Sequence, residues 1–430
     1  MDERKRPTDR RPIRRHLLSL MPAAQRQCVR VAVLAVGAVL ATISGPAAAM
    51  SDGAVRIMVL TNMEGTYSEL AGQGDVIAAE MAAEKLGDTA GGAPVKILVR
   101  DSKLDPKRAV QLLETANEKE HVDMVTGPIA SNVGLAVQNY AEKHGIITLH
   151  SGPSSSQFTG ESCSPLAVQW GFNTYALAHA SGAATVRDGG DKWYFLTADY
   201  NFGHDLQKQV SGVVKAEGGR VLGASVVPYP ATDMTEELKK AAASGANVVG
   251  LANAGEDTQL AIRQGFEVGL GARGINLVAI EFYISDIRRL GVYVTAGLRY
   301  ATSFYWNRDA TSRAWSDAFR ARYGLPPTSP MAGVYSATLH YLKAVDALAN
   351  DEASQVMSKM RATTVDDGVF TSNGHIRSDG RMMHDMLLVE VKQPAEVKRA
   401  GDYLNVRRVI PASDAFRPLD RSPCPLARRN

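Results

Sequence analysis

VRIMVLTNMEGTYSELAGQG, from Val55 to Gly74, decides the fold. VRIMVL carries one charge in six residues and is otherwise apolar, which predicts a strand covered on both faces. TNMEGTYSELAGQG is rich in small and polar residues and predicts a loop that opens a helix. A strand-to-helix loop of this kind lies at the carboxyl end of its strand, where α/β sheets take their ligands.

The same pattern recurs outward from this stretch. VKILVR (Val95 to Arg100) precedes a helix opened by Asp105-Pro106, a capping residue with proline in the first turn. VDMVTG (Val122 to Gly127) precedes a helix from Ser131, and IITLHS (Ile146 to Ser151) follows. WYFLTA, RVLGASVV, NVVGLA and INLVAI continue the alternation up to Ile280. Apolar strands separated by helix-length segments predict parallel sheets with helices on both faces. Binding at strand ends then nominates residues 61–69, 127–131, 151–156, 199–202, 253–256 and 281–283. Residues 312–360 read as two or three helices. Asn373-Gly374 and Asp379-Gly380 are turn signals in a small β region ending in MLLVEV, and the last forty residues read as a surface tail.

The first 49 residues differ from the rest. Arg10, Arg11, Arg14, Arg15, Arg26 and Arg30 precede an apolar core, Val31 to Ile43, and Ala47-Ala48-Ala49 follows as the cleavage site. This predicts a signal peptide cleaved near Ala49 and a periplasmic mature protein, with Sec and Tat export both open. The remainder holds 39 basic and 42 acidic residues, a net charge of −3. Nothing in it suggests a nucleic-acid partner. About 380 residues exceed what one core usually serves, so two lobes are expected. Cys28 leaves with the signal, and Cys163 and Cys424 remain; in an oxidising compartment they are expected to form one disulfide closing a long loop.

The segments VRIMVLTNMEGTYSELAGQG, VDMVTGPIASNVGLAVQ, LHSGPSSSQFTG, TADYNFGHDL, VVGLANAGEDT and MAGVYSATLHYLKAVDAL resemble, in order and spacing, the periplasmic solute-binding proteins of branched-chain-amino-acid-type ABC transporters. The resemblance runs from Val55 to Val391. It implies the type I periplasmic binding fold: two Rossmann-like parallel-sheet lobes, three hinge crossings near Phe172, Tyr300 and Thr371, and a ligand closed between the lobes. Lobe I would comprise 54–172 and 300–371, and lobe II 173–299 and 372–430. The implied partners are a small-molecule ligand and a membrane permease, with no cofactor and a monomeric state. Ser131 is expected to cap its helix and, with the first amides, to face an anion. Ser155 lies where the leucine/isoleucine/valine-binding member has a hydroxyl residue on the ligand α-carboxylate, flanked by Pro153 and Ser154. Glu281 lies where that member has a glutamate for the α-ammonium. Asn253 and Glu256 are expected to hold a second polar group, and Tyr67, Leu70, Tyr175, Tyr200 and Phe202 the walls.

Two ligand classes remain open at this point, amino acids or related carboxylates and amides, and aromatic or other organic acids lacking an amino group. A third reading is an exported amidase or esterase. No G-x-S-x-G elbow occurs and no histidine or aspartate partner for Ser154 to Ser156 can be named. Gly269 to Gly274 matches the dinucleotide fingerprint, but it follows a helix and precedes a strand, the reverse of the required order. The nine histidines show no metal spacing, so no metal site and no catalytic residue is expected.

Overall fold

The computed structural model describes residues 50–65 and 67–428; the expected signal peptide and its cleavage site lie outside them. Strand β1 (Val55–Thr61) is buried along nearly its whole length because neighbours flank both edges and helices cover both faces. Helix α1 (Gln73–Glu84) follows the long loop. The hairpin β2 (Thr89–Ala90) and β3 (Ala93–Asp101) leads into α2 (Pro106–Glu120), whose cap is Asp105, accepting from Lys107 N at 2.8 Å. Then come β4 (Met124–Thr126), α3 (Ser131–Lys143), β5 (Ile147–His150) and β6 (Ala167–Gln169). The first sheet has the order β2-β3-β1-β4-β5-β6, parallel except for β2.

The second lobe starts at α4 (Thr174–Leu177), which runs through a π turn (Ala178–Gly182) into a last helical turn (Ala183–Arg187). Strand β7 (Lys192–Ala198), α5 (Asn201–Ala216), β8 (Arg220–Val227), α6 (Thr235–Ala243), β9 (Val248–Ala252), α7 (Glu256–Glu267), β10 (Asn276–Ala279) and α8 (Ile284–Leu290) follow. The second sheet, β10-β9-β7-β8, is parallel throughout. Two glycines permit its packing. A Cβ on Gly250 would come within 2.8 Å of the Phe195 ring opposite it, and one on Gly203 within 2.2 Å of the Ala198 carbonyl oxygen. Gly203 therefore seats α5 directly on the end of β7.

Strand β11 (Arg299–Thr302) returns the chain to three helices, α9 (Ala310–Tyr323), α10 (Ser329–Leu348) and α11 (Ala353–Ala362). Helices α9 and α10 pack on α1 of the first lobe. The hairpin β12 (His375–Ile376) and β13 (Met382–Met383) stays there too: β12 touches α11, and Arg381 pairs as an isolated bridge with Gln169 beside β6. Strands β14 (Met386–Val391) and β15 (Leu404–Ile410) then complete a three-stranded sheet with β11. The sequence reading placed a passage near Thr371, yet the chain keeps its first-lobe contacts through the hairpin. It also missed β15, an edge strand whose Arg407 and Arg408 face solvent. Cys163 and Cys424 are joined by a disulfide with a Cα–Cα distance of 5.8 Å. Among the described residues no helix is long and apolar enough to cross a membrane.

Candidate functional site

The loops at the carboxyl ends of the two parallel sheets face each other and are in contact. Tyr67, from the loop after β1, meets Tyr200, from the loop after β7, through their hydroxyls at 2.8 Å. Tyr229, from the loop after β8, stacks on Tyr200 at 4.2 Å between centroids and lies 6.0 Å from Tyr67. Phe202 packs beside Tyr200 at 5.7 Å. Leu70 is buried behind Tyr67, its carbonyl accepting from Thr328 Oγ1 at 2.7 Å.

Glu281 follows β10 and is 4 % exposed. Its Oε1 accepts from the Tyr283 hydroxyl and lies 3.3 Å from Ser154 Oγ of the first lobe. Its Oε2 has no partner among the described residues. Burial pushes the carboxyl up to about 8; bonds from Tyr283 and Ser154 oppose this, and the charge of Asp286 adds to it. Asp286 is itself raised to about 7 by burial and accepts from Gln259 Nε2 at 2.7 Å. Asn253, fully buried, accepts from Thr258 Oγ1 at 2.7 Å and leaves Nδ2 without a partner among the described residues. The result is a buried acceptor and a buried amide donor, both incompletely used, beside an aromatic wall. Such atoms are costly unless something pairs with them.

The serine loop differs from its expected role. Ser131 is the first residue of α3 rather than its cap; the cap position is Ala130, and the Ser131 hydroxyl accepts from Ser155 N at 3.1 Å. Ser155 is fully buried, and its hydroxyl donates to Asp205 Oδ2 at 3.2 Å. Asp205, on α5 of the second lobe, also accepts from Ser156 N at 2.6 Å, from Ser156 Oγ and Gln209 Nε2 at 3.1 and 3.0 Å, and from the Thr174 hydroxyl. One carboxylate thus gathers five donors and ties the two lobes together beside the first hinge passage. Pro153 packs on Gly134 of α3 and its carbonyl accepts from Gln169 Nε2 at 3.0 Å. Tyr175, expected as a wall, lies outside this group; it stacks on His179 at 3.9 Å and carries the Arg417 guanidinium at 4.9 Å.

At the rim, Glu69 pairs with both Arg288 and Arg289 of α8, the latter at 2.5 Å. Burial alone would raise the Glu69 carboxyl, but the two guanidinium groups outweigh it and hold it below its ordinary range. Between the lips a gap of about 20 Å³ remains, bordered by Leu70, Gly255, Gln259 and Arg289. Tyr229, Asp205 and the two arginines of this ionic pair escaped the sequence reading, whereas Glu69 and Tyr283 fall within the strand-end loops it nominated. Asp205 alone carried a signal, an acid among Phe202, Leu206 and Val210 on the apolar face of a helix. No histidine hydrogen-bonds a serine hydroxyl among the described residues; His204 pairs with Asp199 at the surface.

The comparisons agree with this architecture. A family model described as periplasmic binding protein matches residues 54–399. The chain is similar to the crystal structure of a periplasmic binding protein from Burkholderia mallei, with 36 % identity, 87 % of this chain and 99 % of that one covered, and a TM-score of 0.85. It is also similar to a branched-chain amino acid ABC transporter periplasmic ligand-binding protein from Burkholderia xenovorans, with 30 % identity, 87 % and 100 % covered, and a TM-score of 0.77. A solute-binding protein from R. palustris in complex with benzoate shares the fold at 19 % identity, 84 % and 97 % covered, and a TM-score of 0.72. No curated protein sequence matches the chain.

Proposed function

This chain belongs to the periplasmic binding protein family, of the branched-chain-amino-acid ABC transporter type, and we propose that it carries a small amino-acid-like solute through the periplasm, as a monomer, to the membrane permease of an ABC importer. One observation carries the choice of ligand: Glu281, buried between the lobes, has one carboxylate oxygen unpartnered and no cation beside it among the described residues. A ligand ammonium supplies the missing donor as a charge-assisted bond, roughly twice as strong as a neutral one. Asn253 Nδ2 and the amides at the start of α3 serve the ligand's carboxylate, and Tyr67, Tyr200 and Phe202 cover its apolar part. The similar Burkholderia xenovorans protein, a branched chain amino acid ABC transporter periplasmic ligand-binding protein, supports this reading. Export follows from the signal peptide read in residues 1–49.

A second reading rests on the same carboxyl. Raised to about 8, it holds its proton at neutral pH, and a protonated Glu281 donates to a ligand carboxylate. The ligand is then an organic acid without an amine. The two readings move protons in opposite directions. An ammonium ligand requires ionised Glu281 in the complex, so binding releases a proton or leaves the count unchanged. A plain acid requires the proton on Glu281, so binding takes one up or leaves the count unchanged. Titration calorimetry with leucine and with benzoate, in two buffers of different ionisation enthalpy, reads that sign, and Glu281→Gln should abolish it. Leucine bound without proton uptake supports the proposal. Benzoate bound with uptake, and leucine not bound, overturns it.

A further inference from the structure

The chain passes between the lobes three times, and its last residues make a fourth bridge. From β15 the tail forms a short turn, Ala412–Ala415, against α4 of the second lobe. Phe416 is buried with the Arg381 guanidinium 4.4 Å above its ring and the His384 ring 5.1 Å away. Arg381 itself grips the first hinge passage through Gln169 Oε1 at 3.2 Å and the Gly171 carbonyl. Arg417 lies over Tyr175 of the second lobe, while its carbonyl accepts from Arg377 Nη1, on the first-lobe hairpin, at 2.7 Å. Beyond it, Ser422 Oγ donates to the Thr159 carbonyl at 3.0 Å, and the fully buried Cys424 is bonded to Cys163.

The anchor point is mechanically significant. Cys163 closes the loop that begins with Ser155 and Ser156, the residues held by Asp205 across the cleft. Any rotation that draws the lobes apart carries this loop away from α5 and away from the base of the tail. The tail must then straighten its turns or pull Phe416 from beneath Arg381, which exposes apolar surface.

We propose that the tail and the Cys163–Cys424 bond form a redox-dependent strap that limits how far the two lobes open. A dithiol reductant converts the strap to its slack form: the S–S bond breaks, each sulfur gains an electron and a proton, and the dithiol becomes a disulfide. The slack protein opens wider when empty and closes to the same form with ligand. The limit is a property of the hinge and does not depend on which solute is bound.

Small-angle scattering tests this on the mature protein stripped of ligand by guanidinium without reductant and then refolded. The oxidised form should give a smaller radius of gyration and a shorter maximum dimension than the same sample treated with dithiothreitol. The double variant Cys163→Ser with Cys424→Ser should match the reduced sample whatever the redox conditions, and dithiothreitol should not change it. Circular dichroism establishes that each sample is folded; should the double variant fail to fold, reduction of the folded wild type decides alone. Equal radii for folded oxidised and folded reduced protein overturn the proposal, as does a reduced form more compact than the oxidised one.

Discussion

Glu281→Gln is expected to weaken amino-acid binding while stabilising the empty protein at alkaline pH. The folded carboxyl sits at about 8, against an ordinary value of 4.5. The folded state therefore holds a proton that the unfolded state has released, and wild-type stability falls as pH rises from 4.5 to about 8. At 1.36 kcal/mol per unit, this ionisation penalty reaches about 4–5 kcal/mol above pH 8. The true cost is smaller, because opening the lobes hydrates the carboxylate and caps the penalty at the cost of opening. Glutamine carries no such penalty, and its carbonyl can accept from Tyr283 and Ser154 as Glu281 does. Its amide hydrogens, however, point where Oε2 now lacks a partner, a cost of about 1–3 kcal/mol. The variant should therefore be less stable than wild type near pH 4.5 and more stable, by about 1–3 kcal/mol, near pH 8.5. Urea denaturation of ligand-stripped protein at both pH values measures the crossing. The ionisation of Asp286 itself occurs in both proteins and cancels in the difference, leaving only its repulsion with Glu281, which belongs to the same penalty. A variant destabilised equally at both pH values would refute the argument, since its loss would then owe nothing to ionisation.

Three other outcomes are expected. Reduction of the Cys163–Cys424 bond, which spans 261 residues, should lower the melting temperature; the chain-entropy model gives about 5 kcal/mol, and calorimetry with and without dithiothreitol measures it. Asp205→Ala orphans several buried donors at once and should cost about 3–5 kcal/mol in urea denaturation, with Asp205→Asn recovering part of the loss. Glu69→Gln removes a partly exposed ionic pair worth about 0.5–1 kcal/mol, so release of bound ligand in stopped flow should quicken a few-fold. Raising salt should quicken release from the wild type and leave the variant unchanged.

The sheets were legible because their strands are apolar on both faces: β1, β7 and β9 announce themselves in any window. Strand β6 has three residues and β15 carries two exposed arginines, and neither pattern differs from a loop. Glu281, Ser154, Tyr67 and Tyr200 were nominated as strand-end residues, and the loops that carry them do meet: Glu281 lies against Ser154, and Tyr67 against Tyr200. Tyr175 was placed with them by the family resemblance, not by the strand-end rule; it belongs to a helix just past the hinge, and its ring turns to the tail. Ser155 shows the deeper limit. The resemblance assigned its hydroxyl to a ligand carboxylate, and the carboxylate that occupies it here lies 50 residues away on another lobe, a distance no local pattern spans. Tyr229 and the arginine pair were invisible for that reason too, since their roles exist only once the lobes meet.

The loop after β1 carries Tyr67 and Glu69 within one tight turn, closed by backbone bonds from Ser68 to Gly65 and from Leu70 and Ala71 to Tyr67. Tyr67 touches Tyr200 in the aromatic wall proposed to meet the solute, and Glu69 pairs with Arg288 at the rim. Two properties that a transport system would adjust separately would thus rest on residues two apart, joined by the backbone bonds of one turn. A replacement that reshapes the wall at Tyr67 tilts the turn and shifts the carboxylate two residues on. Under the proposed function, choice of cargo and time of confinement would be coupled, so a lineage exploring new cargo would also alter how long each molecule is kept before the permease takes it.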